Sequence, residues 1–136
     1  MAANTRMATA IQALCVVACK GGTATAELIS RSLQTNPVVV RRILKCLEQR
    51  GLVEIRPGKD GGVQLARDPD TITLDEIYHA VEPDSAVFAL RTGGNPKCPV
   101  DQRMPALLGP IFGAADTAVT RTLNSVSLSS LVSRIP

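Results

Sequence analysis

The sequence has few aromatic residues: its 136 residues include one tyrosine, two phenylalanines and no tryptophan. Apolar residues still make up 45% of the chain, and most of them are alanine, valine and leucine. Such a chain can build a core, but from small side chains. A small domain of this kind often buries more surface by pairing with a second copy. The length indicates one domain plus an appendage.

Long hydrophobic runs are also missing, since no apolar run approaches the roughly 18 residues that a membrane-spanning helix needs. Residues 8–18 are apolar but have neither a cationic leader nor a cleavage site after them, so we do not interpret them as a signal peptide. We therefore expect a cytoplasmic protein with no membrane partner.

Residue types that bind metals or perform catalysis are sparse. The cysteines Cys15, Cys19, Cys46 and Cys98 form no C-x-x-C pair, which weighs against zinc or thioredoxin chemistry, and in the cytosol free thiols are expected. His79, the only histidine, has no Cys or His neighbours in the sequence and is expected to be a surface or packing residue. We find no nucleophile elbow or paired carboxylate site, so we expect no enzyme activity.

Positive charge is concentrated in the first part of the chain. Residues 1–50 contain seven Lys or Arg and two Glu, whereas residues 51–136 contain eight basic and ten acidic residues. This distribution indicates a polyanion as partner for one side of the protein.

Apolar periodicity predicts three helices in this basic part, over residues 5–20, 26–33 and 37–50. Thr25 is expected to cap the second helix, and Asn36 followed by Pro37 to begin the third. Two alternating segments, Val53 to Ile55 and Val63 to Leu65, then read as strands around a glycine-rich turn.

The order helix, helix, helix, hairpin is that of a winged helix-turn-helix domain, so the glycine-rich turn is interpreted as the wing. A phosphate-binding loop is excluded because the segment lacks GxxxxGK[ST] and a strand follows it. A further helix with a capping box at Thr73 and Glu76 comes next. The predicted fold class is mainly α with a small β-hairpin (α+β).

Residues 83–103 are predicted to be a loop, followed by a long amphipathic helix and a short helix over residues 127–134. Gly109 and Pro110 predict a kink or a restart in the long helix. The chain thus divides into residues 1–82, 83–103 and 104–136. The apolar stripe of the long helix exceeds what so small a domain can cover alone, which predicts a homodimer interface. Its residues are Met104, Leu107, Leu108, Ile111, Phe112, Ala115, Val119 and Leu123.

In a winged helix-turn-helix protein, the start of the third helix reaches base edges, arginines bind phosphates, and wing glycines let the backbone approach DNA. The expected DNA-binding residues are Thr25, Asn36, Pro37, Val38, Val39, Arg41, Arg42, Lys45, Arg56, Gly58, Lys59, Gly61 and Gly62.

The segment "TNPVVVRRILKCLEQRGLVEIRPGKDGGVQLARDPDTITLDEIYHAVE" resembles the Rrf2 family of bacterial transcriptional regulators, as do "NPKCPV" and the long helix after it. The resemblance covers nearly the whole chain. It implies a homodimer, joined through the long helix, that binds a near-palindromic operator in double-stranded DNA. We expect a repressor, but whether such a protein represses or activates depends on promoter geometry, which the sequence does not encode.

Part of that family carries an iron–sulfur cluster on three cysteines in the loop before the dimer helix, and this chain has only Cys98 there. One thiolate does not replace three ligands, so we expect no cluster and no other cofactor, as in the cluster-free branch. Cys98 is either a redox sensor, whose thiolate Lys97 favours, or an apolar residue that packs the loop.

A second function remains open beside the DNA-binding regulator. The winged fold also serves as a protein-interaction module, so the chain is alternatively an interaction or thiol-sensing module without DNA binding. Affinity for DNA that falls steeply with salt would distinguish the regulator from this alternative.

Overall fold

Residues 4–136 are described by a computed structural model. The chain forms α1 (Arg6–Lys20), α2 (Ala26–Leu33), α3 (Pro37–Gln49), β1 (Val53–Arg56), β2 (Gly62–Leu65), a 3-10 turn (Pro69–Thr71), α4 (Leu74–Val81), α5 (Pro99–Asn124) and α6 (Leu128–Val132). The mainly helical class with one small hairpin is confirmed. Within the described residues, no helix is both long and apolar enough to cross a membrane.

Local capping chemistry fixes where α2 and α3 begin. The Thr25 hydroxyl accepts a hydrogen bond from the Leu28 N–H at 3.0 Å, and the Asn36 side-chain oxygen accepts one from the Val38 N–H at 2.8 Å. Pro37 occupies the first turn of α3, where no intrahelical partner exists for the N–H that it lacks. The predicted caps are therefore confirmed, and they hold the two helices of the helix-turn-helix in place.

The two strands form an antiparallel hairpin that is joined to the helices. Val53 pairs with Leu65 and Arg56 pairs with Gly62, so the turn lies between residues 56 and 62. Ala24 exchanges two backbone hydrogen bonds with Val63, at 2.9 and 2.6 Å. The hairpin is thus anchored beside the start of α2, which fixes the direction in which its turn projects.

A single core lies under α1, α2, α3 and α4. Its largest fully buried side chains are Leu14, Ile29, Leu44, Leu47, Leu52, Ile72, Ile77 and Leu128. Leu128 is the first residue of α6, which packs on the N-terminal part of the chain. The Leu128 N–H donates a hydrogen bond to the Ile72 carbonyl at 2.8 Å. The segment 104–136 is therefore not one structural unit, because its last helix belongs to the core of the first segment.

One boundary predicted for the C-terminal part is wrong: the loop ends at Cys98 rather than residue 103, because Pro99 begins α5 and Asp101 lies in its first turn. Of the kink or restart predicted at Gly109 and Pro110, the restart is also wrong, since α5 runs without interruption from Pro99 to Asn124. An internal proline forfeits one helical hydrogen bond, and the rest of this 26-residue helix remains paired around it.

The capping box of α4 gives a pH-dependent contribution to stability. Glu76 accepts hydrogen bonds from Arg67 at 2.6 and 3.0 Å and from the Thr73 N–H at 3.2 Å. The Arg67 guanidinium is the main reason that the pKa of Glu76 is lowered. A carboxyl group whose pKa is lower in the folded than in the unfolded protein stabilises the fold at pH values above its unfolded-state pKa of about 4.3. That stabilisation is lost as the pH falls through the pKa of the folded state.

We therefore expect Glu76→Gln to reduce the free energy of unfolding by about 1 kcal/mol at pH 7, a value discounted for the partial exposure of the ion pair. Urea denaturation should show the difference from the unmodified protein shrinking as pH falls below the unfolded-state pKa of about 4.3 and towards the lowered pKa of Glu76 in the folded state. Asp60→Asn, in the exposed turn of the hairpin, is the control. An equal difference at pH 7 and pH 3 would contradict this account.

Candidate nucleic-acid interface

The start of α3 presents apolar side chains to solvent. Val38 is 57% exposed and Val39 is 38% exposed, although the next residue, Val40, is completely buried. Asn36, Pro37 and both exposed valines thus lie on the outer side of the first turn, where the capping interaction fixes them. Exposed methyl groups at such a position are suited to contact a thymine methyl in a major groove.

A groove of about 610 Å³ lies between α2, α3 and the hairpin. Seven of the thirteen predicted DNA-binding residues line it, and they come from all three elements: Thr25, Arg41, Lys45, Arg56, Gly58, Gly61 and Gly62. The other six, Asn36, Pro37, Val38, Val39, Arg42 and Lys59, are exposed but do not line it.

Acidic residues inside the groove were missed at the sequence level. Glu27 of α2 forms an ion pair and hydrogen bond with Arg41 of α3, and both side chains are more than half exposed. The pKa of Glu27 is lowered, first by hydrogen bonding from its own backbone N–H and then by the Arg41 guanidinium. Arg41 is therefore held by an internal carboxylate within this groove.

The remaining basic residues of the groove have weaker internal partners. Lys45 lies 4.0 Å from Glu48, and Arg56 lies 3.9 Å from Glu54. Exposed pairs at these distances contribute little to stability, so both cations remain available to an external anion.

Glycine is required at two positions of the hairpin turn. A Cβ atom on Gly61 would lie 2.0 Å from the Arg56 carbonyl oxygen. Gly62 has φ of +146°, and its Cβ would lie 2.4 Å from the Thr23 side chain. The turn closes only without these side chains, and its closure brings Arg56 and Gly58 to the rim of the groove.

The outer face of α5 is unpartnered in the single chain. No residue of α5 is buried. Of the eight predicted interface residues, Leu107 and Ile111 are exposed, at 56% and 61%. The other six, Met104, Leu108, Phe112, Ala115, Val119 and Leu123, are half-buried. Phe112 packs on Phe88 of the preceding loop, with ring centroids 5.4 Å apart, so part of the predicted stripe is covered within its own chain.

The exposed apolar stripe is rotated relative to the predicted one. It continues from Leu107 and Ile111 to Ala114 and Ala118. Val100, about two turns before Leu107, is 63% exposed. The 4-3-4 spacing of residues 107, 111, 114 and 118 was the signal that sequence reasoning overlooked. Small residues at its C-terminal end permit close approach of a second helix.

Cys98 lies at the N-cap position of α5 rather than in the middle of a loop. Its N–H donates to the Asn95 carbonyl at 3.0 Å, and its carbonyl accepts from the Gln102 N–H at 3.1 Å. The side chain is half-buried. A change at this cysteine would therefore act on the first turn of α5.

This combination of three helices, an anchored hairpin and an exposed third-helix start is that of a winged helix-turn-helix protein. The Rrf2 family model, described as an iron-dependent transcriptional regulator, matches residues 3–134. The chain belongs to the Rrf2 family of transcriptional regulators.

Individual relatives agree with this assignment. The chain is 35% identical to YwnA of Bacillus subtilis (strain 168), a candidate helix-turn-helix transcriptional regulator, over 97% of this chain and 98% of YwnA. A crystal structure of a candidate DNA-binding protein is 33% identical, has a TM-score of 0.76, and covers 93% of this chain and 97% of that one. CymR, the global cysteine regulator of B. subtilis, shares the fold with a TM-score of 0.74 at 20% identity, covering 100% and 99% of the two chains.

The residues of this chain do not fit the iron centre that the family description names. Among residues 4–136 there is no group of three or more His, Cys, Asp or Glu side chains placed to hold a metal ion. Cys98 stands alone at the start of α5, and the other cysteines lie on α1 and α3. We therefore assign no residue of this chain to iron binding.

Proposed function

We propose that the protein is a homodimeric repressor that binds a near-palindromic operator in double-stranded DNA. The observation that carries this proposal is the convergence of α2, α3 and the hairpin on one groove that contains Arg41, Lys45 and Arg56, beside the exposed start of α3. Val38 and Val39 contact bases, and Arg41, Arg42, Lys45, Arg56 and Lys59 neutralise phosphates. Gly58, Gly61 and Gly62 let the hairpin backbone approach the DNA. Thr25, Asn36 and Pro37 position α2 and α3.

A dimer fits both the protein and its operator. The exposed stripe of α5 around Leu107 and Ile111 is self-complementary if two copies pack about a two-fold axis. Two DNA-binding domains related by that axis read two half-sites, which is why the operator is expected to be a near-palindrome. In this proposal, residues 1–82 bind DNA and α5 forms the interface between the two subunits.

Cys98 is proposed as the point at which thiol oxidation alters DNA binding. It lies where the loop meets α5, so oxidation there would change the first turn of the dimer helix. The competing role for Cys98 is packing of the loop, which its half-buried side chain also satisfies.

The test is fluorescence anisotropy with the DNA upstream of the protein's own gene, against scrambled DNA, at several salt concentrations and in reduced and oxidised protein. Neutralising five basic residues per subunit gives a slope of log K against log salt of up to roughly −9. Specific binding that oxidation abolishes, and that persists in oxidised Cys98→Ser, supports the whole proposal.

Each of the other outcomes of this experiment contradicts one part of the proposed function. Specific binding that is indifferent to oxidation assigns Cys98 to packing and leaves a DNA regulator with another signal. Absence of any salt-sensitive DNA binding, general or specific, refutes DNA recognition and favours the protein-interaction module.

A further inference from the structure

We propose that Cys15 and Cys19 form a dithiol site that binds a trivalent organoarsenical through both sulfur atoms. The two residues are four positions apart on the uninterrupted helix α1, which places them on the same face. Both line a second groove, of about 680 Å³, whose lining includes no residue of the hairpin. Both carry free thiols; Cys19 is exposed and Cys15 is half-buried.

A disulfide between these cysteines does not suit the helix. Residues at i and i+4 have Cβ atoms about 5–6 Å apart, whereas a disulfide requires roughly 3.5–4.5 Å. An atom that bonds to both sulfurs spans a wider gap than a direct S–S bond, so the helix can remain intact around it. The pair is thus arranged to chelate a thiophilic atom and not to oxidise internally.

The charge of the groove favours a neutral ligand over a metal cation. Lys20 is the only charged residue among those that line it, and no carboxylate is present there to attract a cation. Burial and the neighbouring Cys19 raise the pKa of Cys15, so this thiol is protonated at neutral pH. A metal ion needs thiolates, whereas a trivalent arsenic oxide condenses with neutral thiols.

The reaction balances without an oxidant or a reductant. In phenylarsine oxide the arsenic–oxygen bond breaks and two arsenic–sulfur bonds form, one to each cysteine. The oxygen leaves as water with the two thiol protons, and arsenic remains trivalent throughout.

The apolar side chains that line the groove would contact an organic substituent on the arsenic. Val16 of α1, Leu33 of α2 and Ile135 after α6 line the same space as the two sulfurs. Ile135 is 46% exposed, so an aryl group placed against it would bury apolar surface that is open to water. Because the three side chains come from different elements, a bound ligand would tie α1, α2 and the C-terminal end together.

The experiment is intact-mass spectrometry of the reduced full-length protein with one equivalent of phenylarsine oxide, followed by iodoacetamide to label the cysteines that remain free. We expect one phenylarsenic adduct per chain, with Cys15 and Cys19 protected from labelling. Cys15→Ala and Cys19→Ser should each weaken the adduct about 100-fold or more, because the second thiol reacts intramolecularly. Cys46→Ser and Cys98→Ser should retain it.

Circular dichroism first establishes that each variant is folded, and alanine is chosen at Cys15 because this side chain is half-buried. The proposal is overturned if the unmodified protein forms no adduct, if Cys15→Ala and Cys19→Ser bind as well as it does, or if Cys46→Ser or Cys98→Ser abolishes the adduct. A site that takes Zn²⁺ but not phenylarsine oxide also overturns it. None of these readouts involves DNA, so the result is independent of the proposed repressor function.

Discussion

Ile111→Glu is expected to convert the dimer into a monomer and to abolish high-affinity operator binding. Ile111 is 61% exposed in the single chain and lies at the centre of the stripe on α5. Burying an isoleucine contributes about 1.5–3 kcal/mol, and a two-fold interface contains the residue twice, so the loss is about 3–6 kcal/mol. The dimerisation constant should fall by roughly 10²–10⁴. Sedimentation equilibrium measures this directly.

The matched control for this substitution is Thr120→Glu. It lies nine residues further along α5, which is two and a half turns, and is therefore on the opposite side of the helix. Both positions are exposed, so neither glutamate should unfold the single chain. Thr120→Glu should remain dimeric and bind DNA normally. The proposed interface would be contradicted if Ile111→Glu remained dimeric, or if the unmodified protein were monomeric at micromolar concentration.

Local chemistry explains why most of the first segment was predictable from the sequence. The caps at Thr25, Asn36 and Thr73 depend on atoms within three residues of one another, and such contacts can be read along the chain. The hairpin needs Gly61 for a reason internal to its turn, since a Cβ there would meet the Arg56 carbonyl, whereas Gly62 lies against Thr23 in the segment before α2. Together with the basic third helix, these features determine the winged fold.

Two features of the C-terminal part were missed. The start of α5 at Pro99 lies five residues before the apolar stripe that was used to predict it, although Pro99 is a local signal of the same kind as Pro37 in α3. Asp101 in the first turn accepts the Asn95 N–H at 2.7 Å. Leu128 reaches the core only because α6 folds back beside Ile72. Neither arrangement leaves a periodic signal near the residues concerned.

The face of α5 that is exposed illustrates the same limit. Periodicity alone identified Phe112 and Leu108 as well as Ile111, because all are apolar at helical spacing. Phe88, which covers part of that stripe, is 24 residues before Phe112 in a loop without periodicity. Helical spacing indicates which residues are buried from solvent, but not whether the same chain or a second copy covers them.

The pairing of Glu27 with Arg41 was also invisible in the sequence, and it predicts that DNA affinity is held below its maximum. The Glu27 carboxylate occupies part of the Arg41 guanidinium, so a phosphate that binds Arg41 has to compete with it. We expect Glu27→Gln to raise affinity severalfold, because the exposed ion pair that competes with the phosphate is weak but is present in each subunit. Fluorescence anisotropy at fixed salt measures the change.

Arg41→Ala is the opposite change and should weaken binding to every DNA sequence. The loss of one charged hydrogen bond per subunit, about 1.4 kcal/mol each, corresponds to roughly 100-fold for the dimer. The slope of log K against log salt should become less steep by about 2, since two phosphates are no longer neutralised. In this background Glu27→Gln should have a smaller effect than in the unmodified protein, because the arginine that Glu27 holds is gone.

A change in net charge alone would also raise affinity for DNA, so a control must remove one carboxylate elsewhere. Glu82 forms an ion pair with Arg6 at 2.7 Å, and neither residue lines the groove between α2, α3 and the hairpin. Glu82→Gln should leave affinity within about twofold of the unmodified protein, since salt screens charges that do not contact the DNA and neither Glu82 nor its partner Arg6 lines the groove. If Glu82→Gln matches Glu27→Gln, the effect is one of net charge. If only Glu27→Gln strengthens binding, and does so through Arg41, the carboxylate on α2 competes with DNA for the recognition helix.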